Sequence, residues 1–179
     1  KVYPWLGFDT ALFRRDFDNP IYIRDYVSDE SAYGKIIELY EEKAPSERLF
    51  TFEVTMQNHG GYSKASPGFE PTVHLPQLEN KTTSVTAAEK YLTLMKKSDE
   101  AFKNLVNYFE QQEEKTIILM FGDHQPSDYI TNTFLRLTKR ERDGADADNV
   151  YFDNYIVPFV IWANYDIEEE EIEAISVNY

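Results

Sequence analysis

The sequence has no cysteine among its 179 residues, which excludes thiolate metal sites, iron–sulfur clusters and cysteine nucleophiles. Any metal must therefore be held by carboxylate, imidazole or hydroxyl groups. The sequence also lacks an apolar run near the ~20 residues that cross a bilayer. Basic residues are scarce, 18 against 32 acidic ones, and the net charge is −14. Because such a field repels polyanions, no nucleic-acid partner is expected.

The apolar content indicates a folded domain. Hydrophobic residues make up 42% of the chain and aromatic residues 15%, which is too much for a disordered protein. A length of 179 residues corresponds to about one domain. The sequence begins at Lys1 without an initiator Met and stops at Tyr179 without a polar tail. We therefore expect residues 1–179 to be a single partial domain, truncated at both ends and monomeric.

Segments with two different hydrophobic patterns alternate along the chain. Apolar residues recur every three or four positions at roughly 29–43 and 84–113, which predicts two helices. Runs rich in aromatic and β-branched residues predict strands near 49–56, 116–121 and 155–162. This alternation is typical of an α/β fold with a largely parallel central sheet flanked by helices.

The strands and the remaining segments are distinguished by their composition. Residues 116–121 are apolar throughout, which predicts a parallel strand buried on both faces, and 49–56 is predicted as a second core strand. A short β-leaning run at 20–23, a basic surface helix at 133–143 and a helix beginning in the acidic run 168–171 are also predicted. The glycine- and proline-bearing segment 57–83 is predicted to be a functional or mobile loop.

Two residues that could bind a metal follow the most apolar strand. Asp123 and His124 come directly after it, and Gly122 allows the backbone to turn sharply there. In parallel α/β sheets, ligands bind beyond the carboxyl ends of the strands. One oxygen and one nitrogen donor suit manganese, magnesium or zinc when further ligands are present. The alternative is structural: Asp123 caps a turn and His124 is simply buried.

A second candidate site follows the strand at 49–56. His59 stands beside Asn58 and before Gly60-Gly61, so imidazole and amide donors lie where glycine permits close backbone approach. This arrangement suits an anionic oxygen, although a purely structural His59 is the alternative. His74, in the proline-bearing loop, is expected to have no chemical role.

Three segments together resemble a known family. They are Gln57-Asn58-His59-Gly60-Gly61-Tyr62, Ser98-Asp99-Glu100-Ala101-Phe102 and Phe121-Gly122-Asp123-His124-Gln125-Pro126. They are similar to the sulfatase-like domain of lipoteichoic acid synthases and related phosphoglycerol transferases, in the alkaline phosphatase superfamily. The Gly-Asp-His element is common across that superfamily, whereas a strand ending in Asn-His with a following Tyr indicates the phosphoglycerol branch. The likeness covers nearly the whole chain.

The resemblance implies an alkaline-phosphatase-like fold and a role for each candidate residue. Asp123 and His124 would be metal ligands, for manganese or magnesium and less readily zinc, and His59 would hold the glycerol phosphate group. Members of the family are membrane-anchored, with the catalytic domain outside the cell. They transfer glycerol phosphate from a phosphatidylglycerol-type lipid to a glycan or polymer acceptor.

The match to the family is partial in one respect. The family's glutamate ligand, threonine nucleophile and substrate-binding arginine precede the segment that matches Tyr3, so no catalytic nucleophile is expected in this chain. These residues alone are expected to be inactive. Two alternatives remain: a sulfatase or phosphoethanolamine transferase relative, and a non-catalytic sulfatase-like binding domain. The phosphoglycerol transferase hypothesis predicts that His59 lies ~6–10 Å from the Asp123–His124 pair.

Overall fold

Two long helices form the centre of the structure, a computed structural model that describes residues 2–62, 69–78, 82–138 and 156–167. Helix α1 spans Asp29–Glu42 and helix α2 spans Thr83–Glu110. The Ser28 hydroxyl caps α1 by accepting from the Ser31 amide, and Thr82 caps α2 by accepting from Val85. Both predicted helices are confirmed, with bounds that differ by at most a few residues.

The core lies along α2, which packs against α1 on one side and against a third helix, α3 (Asp128–Thr138), on the other. The buried apolar residues of α2 recur at helical spacing: Val85, Ala88, Leu94, Ala101, Leu105 and Phe109. Tyr40 of α1 packs edge-on against Phe109 at 5.1 Å between ring centroids. Helix α3 begins five residues before its predicted start, and residues 139–143 lie outside the described residues.

Four strands form two antiparallel pairs in the described part of the chain. Strands β1 (Tyr22–Ile23) and β2 (Tyr26–Val27) form a short hairpin just before α1, as the β-leaning run at 20–23 indicates. Strand β3 (Ile117–Phe121) pairs with β4 (Phe159–Ala163), so that Leu119 lies opposite Ile161. The helix predicted to begin at 168–171 lies outside the described residues.

The strand predictions are correct in part. Strands β3 and β4, which overlap the strands predicted at 116–121 and 155–162, do share a sheet, but the prediction of a buried parallel strand at 116–121 is wrong: β3 is antiparallel to β4, and Leu119 and Phe121 are each 56% exposed. The core strand predicted at 49–56 is also wrong, since that segment has no regular secondary structure and Phe50 is 78% exposed. Its backbone has no pairing partner among the described residues, and β propensity alone does not supply one.

The loop that follows Met56 leads to the start of α2. Residues 57–62 and 69–78 have no helix or strand, as predicted for this stretch. Within the described ranges, no helix combines the length and the apolar character that crossing a membrane requires.

Candidate functional site

His59 is held by the hairpin of β1 and β2. The Tyr26 hydroxyl lies 3.0 Å from His59 Nδ1, and the two rings are 5.6 Å apart. Because this hydrogen bond occupies Nδ1, Nε2 is the ring nitrogen that can contact a ligand. His59 itself is exposed to solvent. The imidazole is therefore both oriented and accessible.

Arg24, in the turn between β1 and β2, holds the backbone of the same loop. Its Nη1 donates to the His59 carbonyl at 3.1 Å, and its Nη2 donates to the Gly60 carbonyl at 2.7 Å. Arg24 adopts a left-handed backbone conformation, with φ of 59°, which an L residue with a long side chain rarely takes. The two hydrogen bonds and the hairpin together keep it there.

Buried polar side chains anchor the loop that carries His59. Gln57 is 1% exposed; its Oε1 accepts from the Asp29 amide at 3.1 Å and its Nε2 donates to the Ser98 hydroxyl at 3.1 Å. Asn58 Nδ2 donates to the same hydroxyl at 2.8 Å. The two residues before His59 are therefore fixed to α1 and α2 at once.

Tyr62 closes the loop. Its hydroxyl donates to the Asn58 carbonyl, and its ring packs edge-on against Tyr91 at 5.6 Å. Burial raises the pKa of Tyr62 to about 12, and the charge on Asp123 also raises it while Arg24 opposes both. The central carbon of the Arg24 guanidinium lies 5.4 Å from the centroid of the Tyr62 ring, so the hairpin also meets the loop at Tyr62.

Asp123 and His124 lie in the turn after β3, exposed to solvent. The His124 amide donates to Asp123 Oδ1 at 2.9 Å, so Asp123 does cap its own turn. His124 is not buried, because its side chain is 59% exposed, and the alternative of a simply buried histidine is wrong. Gln125 donates from Nε2 to the Ile156 carbonyl at 3.0 Å, which ties this turn to the residues before β4.

The two side chains are arranged as a pair of metal ligands would be. His124 Nε2 lies 3.6 Å from Asp123 Oδ2, close to the ~3.4 Å between two donors that each lie ~2.1 Å from a shared ion. His124 Nδ1 lies 2.7 Å from the Gln125 carbonyl oxygen, so Nδ1 carries the proton and the Nε2 lone pair is available.

The pair fits a divalent cation but is not a complete site. Among the described residues, no group of three or more His, Asp or Glu side chains could hold a metal ion. Asp123 and His124 can therefore supply one oxygen and one nitrogen of a larger ligand set. The predicted separation of ~6–10 Å between this pair and His59 stays a prediction.

His74 contacts helix α2, and its lack of a chemical role stays a prediction. Its Nδ1 is 3.7 Å from Glu89 Oε2, and Glu89 Oε1 accepts from the Leu75 amide at 2.9 Å. Glu89 is 3% exposed, and through these two contacts its carboxylate holds the loop at residues 74–75 against α2.

Sequence reasoning missed the residues that support His59. Arg24, Tyr26 and Asp29 carry no local motif, since their partners lie tens of residues away. Ser98 was noticed only as part of the family likeness. The one available signal was Ser28-Asp29 at the start of α1, which reads equally well as an ordinary helix cap.

Comparison with known proteins identifies the family. The sulfatase family profile matches residues 1–178. A candidate cyclic beta-1,2-glucan modification protein of Rhizobium meliloti (strain 1021) is 28% identical over 183 residues, covering 98% of this chain and 27% of the relative. The capsular polysaccharide biosynthesis protein RkpI of the same organism is 26% identical over 127 residues, covering 70% of this chain and 21% of that protein.

A third relative, an uncharacterized protein of Haemophilus influenzae (strain ATCC 51907 / DSM 11121 / KW20 / Rd), is 26% identical over 70% of this chain and 24% of its own length. The chain thus spans about a quarter of the length of these relatives. No solved structure matches it. The chain belongs to the sulfatase family of the alkaline phosphatase superfamily, which implies an α/β fold.

Proposed function

We propose that the chain is part of an extracytoplasmic, metal-dependent phosphoglycerol transferase. It would help move glycerol phosphate from a phosphatidylglycerol-type lipid to a glycan or polymer acceptor. The observation that carries the proposal is the exposed His59 imidazole, which the Tyr26 hydroxyl holds through Nδ1 so that Nε2 can bind a ligand.

Each residue has a distinct task in this proposal. His59 Nε2 binds an oxygen of the glycerol phosphate group, while Tyr26 keeps Nδ1 occupied and the ring fixed. Asp123 and His124 contribute two ligands to a manganese or magnesium ion, or to zinc. When bound, the ion supplies a positive charge that stabilises negative charge on phosphoryl oxygens. The nucleophile and the remaining ligands come from elsewhere in the full-length protein.

The names of the relatives favour a glycan acceptor. One relative is named for cyclic beta-1,2-glucan modification and another for capsular polysaccharide biosynthesis. Both names refer to glycans. We extend this to the present chain, with a membrane-anchored parent, an extracellular site and a monomeric domain.

We also propose that these residues are one part of a larger sulfatase-like domain. Apolar side chains of the 49–56 segment and of β3 are exposed, including Val54 at 61% and Ile117 at 56%. In a larger domain these side chains would be covered, which would remove the cost of leaving them in water.

The proposal is tested by a transfer assay on the full-length protein. With manganese present, we expect release of glycerol phosphate from a phosphatidylglycerol analogue. His59→Ala should reduce the rate by at least ~100-fold and change the free energy of unfolding by less than ~1 kcal/mol, because His59 is exposed. His74→Ala is the matched control and should retain wild-type activity. Three outcomes would overturn the proposed function: hydrolysis of a sulfate ester in place of this transfer, release of phosphoethanolamine in place of glycerol phosphate, or an active His59→Ala variant.

A further inference from the structure

Among the described residues, the guanidinium of Arg24 is held by backbone carbonyls and not by a carboxylate. It donates to two backbone carbonyl oxygens, those of His59 and Gly60, and both of these acceptors are neutral. Within the described ranges, the ion pairs join other basic residues to acids: Arg15 to Asp16, Lys35 to Glu38, Lys43 to Glu114 and Lys96 to Glu100. Arg24 is in none of these ion pairs, and its hydrogen-bond acceptors among the described residues carry no charge.

Two aromatic rings fix the guanidinium further. Its central carbon lies 5.5 Å from the centroid of the Tyr26 ring and 5.4 Å from that of Tyr62. The two carbonyls use one N–H of each terminal nitrogen, so three of its five N–H donors remain for other partners. Because the side chain is already ordered, little conformational entropy is lost when these donors bind a ligand.

There is room for a ligand at this point. A Cβ atom placed on Gly60 would meet no described atom within 4 Å. His59 Nε2 is free of the Tyr26 hydrogen bond, and the Tyr26 ring lies 5.6 Å from the His59 ring and 5.5 Å from the central carbon of the Arg24 guanidinium. A fixed cation, an accessible imidazole and open space therefore adjoin one another.

We propose that Arg24 is an anion-binding residue of the His59 site, which binds the tetrahedral oxyanion of the substrate through its free N–H donors. A guanidinium matches phosphate and sulfate oxygens in geometry and charge, and such hydrogen bonds are stronger than neutral ones. The proposal rests on the proposed function, since it assigns a second contact for the same substrate group. It differs from the arginine that the family likeness places upstream, because Arg24 lies within the chain.

Arg14 offers a matched control. It too lies over a tyrosine ring, 4.5 Å from the Tyr22 centroid, and its Nε donates to the Tyr22 hydroxyl at 3.1 Å. It makes no contact with the His59 loop among the described hydrogen bonds. Arg14→Gln therefore removes the same charge and a similar aromatic contact away from the site.

The test measures binding of glycerol 3-phosphate and, separately, of inorganic sulfate to the full-length protein by calorimetry, at low and at high salt. Arg24→Gln should weaken binding about tenfold or more and flatten its salt dependence, because the screened charge is gone. Arg24→Lys should keep the salt dependence and bind with intermediate affinity. Arg14→Gln should stay within about twofold of the wild type.

The outcomes separate this inference from the proposed function. Arg24→Gln affinity equal to that of Arg14→Gln would overturn the inference. Weaker binding with an unchanged salt dependence would also overturn it, since Arg24 would then act only by holding the loop. If the wild type binds sulfate but not glycerol 3-phosphate and Arg24→Gln loses that binding, the inference stands and the phosphoglycerol function fails.

Discussion

The Ser98 hydroxyl donates a hydrogen bond to the Asp29 carboxylate at 2.5 Å and so joins two helices across 69 residues of sequence. The same hydroxyl accepts from the side-chain amides of Gln57 and Asn58. One small side chain in the middle of α2 thus fixes the start of α1 and the residues that precede His59. The position of His59 depends on this contact as well as on the hairpin.

Removing the Ser98 hydroxyl should therefore destabilise the fold. Ser98→Ala leaves Asp29, Gln57 and Asn58 each with one hydrogen bond fewer in a poorly hydrated place, at a cost of about 1–3 kcal/mol. Urea unfolding of the variant measures it. Ser84→Ala is the control, because the hydrogen bond described for the Ser84 hydroxyl joins it to Thr82 in exposed surroundings, and it should stay within about 0.5 kcal/mol. Equal stability of the two variants would contradict the prediction.

Asp29 should give the stability a measurable pH dependence. Burial raises the pKa of Asp29 above its ordinary 3.8, while hydrogen bonds from Ser98 and Thr55 oppose the shift. Between 3.8 and the raised value, the folded state keeps a proton that the unfolded state has lost. The free energy of unfolding therefore falls as pH rises through that interval and is level above it.

Asp29→Asn should reduce the fall in the free energy of unfolding with rising pH. Burial also raises the pKa of Glu53, and the Asp29 charge adds to that rise, so the substitution brings the Glu53 value closer to normal as well. Thermal or urea unfolding at several pH values from about 3.5 to 7 tests it. Asp99→Asn, at an exposed position of α2, should retain the wild-type profile. A steeper dependence of the unfolding free energy on pH in Asp29→Asn would contradict the raised pKa of Asp29.

The helices could be predicted from the sequence because their signals are local. Helical periodicity reports which face is buried, and Ser28 and Thr82 mark the first turns. A strand depends on a partner that the local sequence does not specify. The apolar run at 116–121 was read as buried and parallel, yet its partner is an antiparallel strand about forty residues away.

The residues of the candidate site also divide into those with a local sequence signal and those without one. His59, Asp123 and His124 were found because they directly follow apolar segments and match a family motif. Arg24 and Tyr26 act on His59 from 33 to 35 residues earlier in the sequence, through a turn with a positive φ. No local pattern of residue types predicts such a contact, because it arises only when hairpin and loop are packed together.

Tyr26 should determine the tautomer of His59. Tyr26→Phe removes the hydroxyl at Nδ1 and frees the ring to rotate, so we expect roughly tenfold lower transfer activity and a mixture of tautomers. Nitrogen chemical shifts of the His59 ring measure the second effect. Tyr22→Phe, which removes a hydroxyl that contacts Arg14 and not His59, should leave the activity and the shifts unchanged. An unaltered His59 spectrum in Tyr26→Phe would contradict the role.

Thr93 should be essential for holding the loop at 69–78. Its side chain is fully buried, and its hydroxyl accepts from the amides of Thr72 and Val73, both at 3.0 Å. Thr93→Val keeps the shape but leaves two amides unsatisfied, at about 2–4 kcal/mol. Hydrogen exchange at these two amides, together with urea unfolding, measures the effect. Thr83→Val, at an exposed position, serves as control, and slow exchange in Thr93→Val would refute the prediction.

Asp123 should be required for metal binding, although the pair binds weakly by itself. One carboxylate and one imidazole compete poorly with water for manganese, so in the 179-residue chain we expect a dissociation constant on the order of 10⁻³ M or weaker. Asp123→Asn should abolish the paramagnetic broadening that manganese causes in the His124 signals, because the amide oxygen carries no charge. Asp166→Asn, an exposed carboxylate just after β4, should leave the broadening intact. Tight binding that survives Asp123→Asn would mean that manganese is held by other groups, and the assignment of Asp123 and His124 would fail.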